Sequence, residues 1–371
     1  MAGKVFTTFD TNSDVVTNQK TIVTSGLFAN NQASLSTAFT GSLQTSSSKA
    51  YYYDIYDSSG SSAEAQFAIA WGHRLGSGSA TTGTAGSVND SAARAIYSQY
   101  RSLLLNPGDT TFTFANGVSS DAIYAINFNR SKLKDRLDPG NWQLTLAELS
   151  GSTIANSVHT GSNVKLSGTG RVTTLIDDSG LTNQPPTLTQ SGRVFNVVSG
   201  SITDGIFNST APHYYGLCYP DMGIIILNAR MDAVYSTAGS GLSTAALGFN
   251  SVTGSNVNGD NAWKLYTSIS GAFSLNSATN AFYARNEETI SSTHYFVRIK
   301  NGEYNYSNNP TFVTGSSGLI AQPTFWKDPK TYITTIGLYN DRQELLAVAK
   351  LSKPIQKSYS KEALIKVKLD F

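Results

Sequence analysis

Apolar and polar positions alternate with a period of two near the end of this chain. In residues 363–371, one set of alternate positions is apolar and the other is mostly charged: Ile365, Val367, Leu369 and Phe371 against Leu364, Lys366, Lys368 and Asp370. Because successive side chains of a strand point to opposite faces, this pattern predicts a half-buried strand of an antiparallel sheet. It also predicts that the chain ends on a buried aromatic side chain, which ties down the terminus.

Similar patterns predict strands along the rest of the chain. Residues 332–339 and 344–351 form two strands around a tight turn at Asn340-Asp341-Arg342, and Lys353-Pro354 ends the second strand. Residues 49–56 and 64–73 are β-prone partners across a turn. Four consecutive aliphatic residues within 223–228 predict a central strand buried on both faces. Further strands are predicted at residues 110–114, 122–128, 141–149, 171–176, 193–198 and 294–300.

A different periodicity marks one helix. Apolar residues at helical spacing predict an amphipathic helix over about residues 91–105, ended by Asn106-Pro107-Gly108. The β signal fades over residues 229–292, apart from weak helical spacing at 263–269 and 278–286. The predicted fold is mainly β: an antiparallel β-sandwich-type scaffold of residues 49–228 and 293–371. An N-terminal arm or pair of edge strands occupies residues 1–48, and an irregular, partly helical insertion occupies residues 229–292.

The composition of the chain limits the classes of protein to which it can belong. Charged residues make up only 14% of the chain and hydrophobic residues 40%, so a sizeable core is expected rather than disorder. The net charge of +2 gives no general attraction to nucleic acid or to an anionic membrane. The single cysteine, Cys218, excludes an intramolecular disulfide and is interpreted as a small buried side chain. No secretory signal and no membrane-spanning run is found, so synthesis in the cytoplasm is expected.

No catalytic, cofactor-binding or metal-binding residue is predicted. The four histidines lack metal-ligand spacing. The adjacent pairs Asp177-Asp178 and Glu287-Glu288 could suggest glycoside hydrolysis, which needs two carboxyl groups about 5 to 10 Å apart across a cleft. Neighbouring residues usually point apart, and Asp177-Asp178-Ser179-Gly180 has the composition of a turn. The compact basic run at residues 129–136 is interpreted as a solvated loop or a subunit contact, because Asp135 and Asp138 dilute its charge.

Several stretches carry a resemblance to a known family. They are MAGKVFTTFDTNSDVVT (1–17), YPDMGII (219–225), HYFVR (294–298), NYSNNP (305–310), DPKTYI (328–333), GLYND (337–341) and ELLAVAKLSKP (344–354). These stretches resemble virion structural proteins of T4-like contractile-tailed phages, including those that infect marine cyanobacteria. Residues 344–371, with Pro354-Ile355 and a final strand ending in Phe371, also resemble the end of a T4 baseplate wedge protein.

The resemblance implies a non-enzymatic virion protein of the phage tail, present in several copies. Its role would be to bind sibling baseplate wedge subunits and to relay the contraction signal from tail fibres to sheath. Such a scaffold needs large, specific, partly apolar interfaces and no cofactor. We expect these interfaces in the N-terminal arm (Val5, Phe6, Phe9), in residues 236–290, and on the lysine-bearing face of the last strand (Lys366, Lys368).

Two other functions remain open alongside this one. A position in the neck or head of the virion, instead of the baseplate, also remains open. A receptor- or carbohydrate-binding module of a tail fibre or spike would require aromatic side chains exposed together on one face. A glycan-degrading enzyme would require two convergent carboxylates in a groove. Neither nucleic acid nor a membrane is expected as a partner.

Overall fold

The structure is a computed structural model, and it describes most of the chain. The described residues are 6–40, 52–76, 91–115, 117, 119–149, 166, 172–181, 186–207, 209–210, 212, 214–229, 261–275, 281–315 and 317–371. They divide into two units. Unit 1 comprises the described residues up to Ile22 together with Thr289–Phe371, and unit 2 comprises those from Val23 to Glu288.

Strands dominate both units, and the described residues contain three α-helices. The strands up to the middle of the chain are β1 (Val15–Gly26), β2 (Ser34–Leu35), β3 (Phe39–Thr40), β4 (Tyr52–Tyr56), β5 (Ala65–His73), β6 (Phe112–Thr113), β7 (Ser119–Ser120), β8 (Ala122–Phe128), β9 (Arg136–Ala147) and β10 (Val172–Asp177). The later strands are β11 (Thr187–Thr189), β12 (Gly192–Ser201), β13 (Gly205–Ile206), β14 (Tyr214–Tyr219), β15 (Ile224–Asn228), β16 (Phe282–Ile299), β17 (Val313–Thr314), β18 (Leu319–Ile320), β19 (Thr331–Tyr339), β20 (Leu345–Lys357) and β21 (Ala363–Asp370). The helices are α1 (Ser91–Leu104), α2 (Arg130–Leu133) and α3 (Asn261–Leu275).

Unit 2 is organised by one antiparallel sheet. Its strand order is β16, β9, β10, β12, β14, β15, β8, β5, β4, β3. All residues of β15 are buried, and the strand lies between β14 and β8, as the run of aliphatic residues predicts. The predicted hairpin of β4 and β5 is also present, with Tyr53 paired to Ile69.

The two longer helices of unit 2 cover opposite faces of this sheet. Ile123 and Ala125 of β8 belong to an apolar cluster with Tyr97 of α1, whereas Tyr124 and Ile126 belong to a cluster with residues of α3. Because successive side chains of β8 point to opposite faces of the sheet, this strand contributes apolar side chains to both clusters. Because each face is covered by a helix, the central strands carry few polar side chains.

The sheet of unit 2 curves around α3. The helix packs against β4 and β5 and also against β9, although five strands separate β5 from β9 in the sheet order. Phe282 of β16 reaches Phe67 of β5, with the ring centroids 5.0 Å apart. Ser268 of α3 donates a hydrogen bond to the carbonyl oxygen of Ala147 at 2.7 Å. The segment expected to be an insertion thus supplies a helix that lies within the core.

Unit 1 is a small two-layer arrangement of sheets. In one layer β16 pairs with β21 and neighbours β1, and in the other β19 pairs with β20. Ile365 and Val367 of β21 share an apolar core with Ile336 and Leu338 of β19. This is the alternation that the last strand predicts, and it produces sandwich-type packing between two antiparallel layers.

The predicted fold class, mainly β with antiparallel strands and a helix at about 91–105, is confirmed. Three finer predictions are wrong. Phe371 is 76% exposed, and the terminus is instead held by backbone hydrogen bonds to Ser291. Residues 282–286 belong to strand β16 rather than to a helix, because they pair with β9. Finally, β20 continues through Lys353 and Pro354.

The structure explains how Pro354 fits into a strand. The register between β19 and β20 shifts from Thr335 opposite Lys350 to Ile333 opposite Ile355. Pro354 therefore lies in an irregular stretch of the ladder, where its missing N–H costs no inter-strand hydrogen bond.

Candidate interaction surface

The outer face of the β19–β20 hairpin carries exposed apolar side chains. Its inner face is formed by the paired residues Ile336 and Ala349, and Leu338 and Ala347, which contribute to the core of unit 1. The alternate positions point outward, where Gly337 pairs with Val348 and Tyr339 pairs with Leu345. Val348 is 58% exposed and Leu345 is also exposed.

Gly337 has no side chain, which leaves room for the side chains of Tyr339 and Leu345 to pack across the outer face of the strand. A Cβ atom at this position would lie 2.8 Å from Cε2 of Tyr339 and 3.1 Å from Cδ1 of Leu345. Both side chains therefore fold across the glycine, which gives the hairpin a continuous apolar covering. We define the hairpin surface as Phe6, Gly337, Tyr339, Leu345 and Val348.

Phe6 joins this surface from the N-terminal segment. Its ring meets that of Tyr339 edge to face, with the centroids 5.1 Å apart, and both side chains remain about two-fifths exposed. Phe9 is placed differently, since its ring lies 5.5 Å from that of Tyr295 and contributes to the core of unit 1. Val5 lies outside the described residues.

The tip of the hairpin is held by the side chain of Asn340. Its Oδ1 accepts hydrogen bonds from the backbone N–H groups of Arg342 (3.0 Å) and Glu344 (2.8 Å), as expected for an asparagine in a turn. Its Nδ2 donates to Oε2 of Glu344 at 2.6 Å. The predicted turn is thus present, and it fixes the two strands next to the hairpin surface.

Lys366 and Lys368 lie on the outer face of the other layer of unit 1. Lys368 is paired with His294 and Lys366 with Phe296 across β16 and β21, and both lysines are exposed. Nζ of Lys368 lies 2.9 Å from Oδ1 of Asp370, which also accepts a hydrogen bond from Ser292. The hydrogen bonds from Lys368 and then Ser292 lower the pKa of Asp370. This face therefore carries positive charge, part of which Asp370 offsets.

The carboxylates of the Asp177-Asp178 pair are used inside unit 2. Asp177 accepts hydrogen bonds from the N–H groups of Gly140 and Ser179. Asp178 accepts from the backbone N–H of Asn196 at 2.8 Å and from its Nδ2 at 2.7 Å. Burial raises the pKa of Asp178, against these hydrogen bonds. Each carboxylate thus fixes a turn or a neighbouring strand.

A second group of buried charges lies where β16 pairs with β9. Glu287 forms an ion pair with Arg136, and its carboxyl group also neighbours that of Asp138. Burial, followed by the nearby carboxyl of Glu287, raises the pKa of Asp138. Arg193 contacts Asp221 through its guanidinium and its backbone N–H. These contacts tie strands together, and sequence spacing could not reveal them because the partners are far apart in the chain.

The basic run at residues 129–136 is similarly neutralised. Asn129 caps α2 by accepting from the N–H of Ser131, and Leu133 is buried. Lys132 pairs with Glu64, beside a shallow groove of about 410 Å³, and Lys134 pairs with Glu288 at 3.0 Å.

Among the described residues, the other candidates for chemistry form no metal site. Cys218 is buried, as predicted, and burial raises the pKa of its thiol. Within the described ranges, no three His, Cys, Asp or Glu side chains are arranged to hold a metal ion. None of the helices in the described parts of the chain is long and apolar enough to cross a membrane. His159 and His213 lie outside the described residues, as does most of the expected interface at 236–290, namely residues 236–260 and 276–280.

Comparisons with protein-family models, with curated proteins and with solved structures found no match for this chain.

Proposed function

We propose that this chain is a non-enzymatic structural component of a contractile phage tail, and specifically a baseplate wedge protein that binds sibling subunits. The hairpin surface is the observation that carries the proposal. It places several apolar side chains next to one another on a rigid hairpin, which is the composition of a protein-binding surface. The resemblance of residues 328–354 to virion structural proteins of T4-like contractile-tailed phages supports a structural role in such a particle.

The energetics suit an assembly contact. Leu345 and Val348 are 52% and 58% exposed, so covering one of them would contribute about half of the roughly 1.5–3 kcal/mol expected for burying a fully exposed side chain. Because Asn340 and the β19–β20 pairing already order the hairpin, the hairpin would lose little conformational freedom when a partner binds it. The positive face formed by Lys366 and Lys368 would add selectivity for an acidic neighbour more than affinity.

The location of the chain in phage particles tests the proposal. Averaged cryo-electron microscopy of intact and contracted particles should show density that fits both units in a six-fold ring around the tail tip. A neighbouring subunit should cover Tyr339, Leu345 and Val348. Density at the tips of fibres, or in the head or neck, would refute a wedge role.

A substitution on the hairpin surface gives a second test. Val348→Asp should reduce incorporation into particles at least about tenfold, because a buried carboxylate without a partner is strongly unfavourable. Leu188→Asp is the matched control, since Leu188 is 76% exposed on β11 of unit 2 and outside the hairpin surface. Incorporation is measured by quantitative mass spectrometry, and circular dichroism checks the fold. Equal incorporation of the two variants would contradict the assignment of this surface.

A further inference from the structure

One stretch of unit 1 combines aromatic side chains with a complete lack of charge. Residues 304–326 contain no Asp, Glu, Lys or Arg, although 14% of the residues of the whole chain are charged. The same stretch contains five aromatic residues: Tyr304, Tyr306, Phe312, Phe325 and Trp326. Its exposed polar side chains are amides and hydroxyls, including Asn308, Ser317, Gln322 and Thr324.

Two of these aromatic side chains are locked by hydrogen bonds to the same short hairpin. The hydroxyl of Tyr306 donates to the carbonyl oxygen of Gly318 at 3.0 Å. Nε1 of Trp326 donates to the carbonyl oxygen of Ile320 at 3.0 Å. Both acceptors belong to the β17–β18 hairpin and are two residues apart, which is roughly 7 Å along an extended chain.

Phe312 supports Tyr306 from inside and also packs against Phe325, the residue before Trp326. It is buried, and its ring lies 5.6 Å from that of Tyr306 in an edge-to-face contact and 6.2 Å from that of Phe325, the neighbour of Trp326. Tyr306 and Trp326 nevertheless remain 49% and 68% exposed. The structure thus holds two large aromatic rings in fixed orientations at the surface.

The hydrogen bonds determine what these rings offer to a ligand. Their polar atoms are already bound to backbone carbonyls, so the exposed parts are chiefly ring atoms. Such rings bind apolar C–H groups, and little rotamer freedom is lost because the side chains are already ordered. The face of a pyranose ring presents such C–H groups, while its hydroxyls suit surrounding amide and hydroxyl side chains.

We propose that Tyr306 and Trp326 form an aromatic platform that binds a neutral polysaccharide by stacking against its sugar rings. The lack of charge across residues 304–326 favours a neutral glycan over an anionic one. The absence of Arg also disfavours a protein partner, since protein interfaces are enriched in Arg as well as in aromatic residues. This site is separate from the hairpin surface, and its existence does not depend on where the chain lies in a virion.

Affinity electrophoresis of the full chain tests the platform. The gels contain dextran, soluble starch or hydroxyethyl cellulose as neutral polymers, or dextran sulfate as an anionic one. At least one neutral polymer should retard the chain. Trp326→Ala and Tyr306→Ala should each weaken that retardation about two- to tenfold, the range expected for loss of one aromatic contact.

Two further variants separate stacking from a general loss of structure. Trp326→Phe keeps a ring and should restore most of the binding that Trp326→Ala loses. Tyr332→Ala removes an exposed aromatic side chain of β19 outside the platform and should bind as the unchanged chain does. The proposal would be overturned if only dextran sulfate retarded the chain, or if none of the neutral polymers did. It would also be overturned if Trp326→Ala and Tyr332→Ala were retarded equally. Reduced incorporation of Trp326→Ala into particles, without polymer binding, would assign the platform to a protein partner instead.

Discussion

A single buried ammonium group connects two segments of unit 1. Lys357, the last residue of β20, is fully buried, and its Nζ donates to the carbonyl oxygens of Asn301 (2.8 Å) and Ser358 (3.0 Å) and to Oδ1 of Asn305 (3.0 Å). Burial lowers the pKa of Lys357, and Glu303 and Glu362 partly oppose this shift. The group is retained because its three donors match three oxygen acceptors.

Replacing this lysine should destabilise unit 1. Lys357→Met keeps the length of the side chain but leaves buried oxygen acceptors without a donor, which costs about 1–3 kcal/mol. Urea unfolding should show this loss. Lys353→Met, at an exposed position of the same strand, should change the free energy of unfolding by no more than about 0.5 kcal/mol. A similar effect from both substitutions would mean that the three hydrogen bonds do not stabilise the fold.

At the residue scale, sequence reasoning predicted the type of side chain that matters better than its position. Phe6 and Phe9 look equivalent in the sequence, yet Phe6 lies on an exposed surface and Phe9 in a core. Their surroundings are set by Tyr339 and Tyr295, about 300 residues away in the chain, so local pattern cannot distinguish them. Lys366 and Lys368 were predicted to be outward-facing because the alternation of one strand determines that by itself.

At the scale of elements, the contact between α1 and β5 depends on a glycine. A Cβ atom at Gly72 would lie 2.9 Å from the backbone nitrogen of Tyr97 and 3.1 Å from its Cα. These backbone atoms of Tyr97 cannot move aside as the end of a flexible side chain can. The absence of a side chain at this position therefore allows the helix to lie directly on the strand.

Gly72→Ala should therefore weaken unit 2. Pushing α1 away from β5 strains the packing of Tyr97, and overpacking of this kind costs about 1–3 kcal/mol. Gly108→Ala is the control, because a Cβ there meets nothing within 4 Å. Chemical unfolding monitored by circular dichroism at 222 nm gives both values. An unchanged midpoint for Gly72→Ala would show that the helix can shift without cost.

Elements with strong local periodicity were predictable, and those fixed by distant pairing were not. The pattern of α1 and the aliphatic run of β15 each determine one element without reference to the rest of the chain. The start of β16 has weak helical spacing, yet it is a strand because it pairs with β9. Of the hairpin surface, the sequence pointed only to Phe6, since Tyr339, Leu345 and Val348 have the composition of core residues.

At the scale of the whole molecule, each unit has its own apolar core, so unfolding should proceed in two steps. Three tryptophans, Trp71, Trp142 and Trp263, belong to unit 2, and Trp326 belongs to unit 1. In Trp326→Phe, tryptophan fluorescence reports on unit 2 alone, whereas circular dichroism reports on both units. The two transitions should occur at different urea concentrations. Coincident transitions would show that the two units unfold together.

The sequence-based division at residues 48, 228 and 292 differs from the division of the structure. Unit 1 is assembled from both ends of the chain, and its boundaries at Ile22 and Glu288 fall inside β1 and β16. A boundary within a strand leaves no glycine- or proline-rich linker for composition to mark. Only the pairing of residues far apart in sequence reveals it.

The continuity of β16 has a mechanical consequence. This 18-residue strand pairs with β9 in unit 2 through its first residues and with β21 in unit 1 through its last. We consider tension applied along β16. The hydrogen bonds to β9 lie across that direction and would bear the load together instead of opening one after another. An extended backbone has almost no slack, so a pull along β16 would reach its hydrogen bonds to β9 with little lengthening of the strand itself.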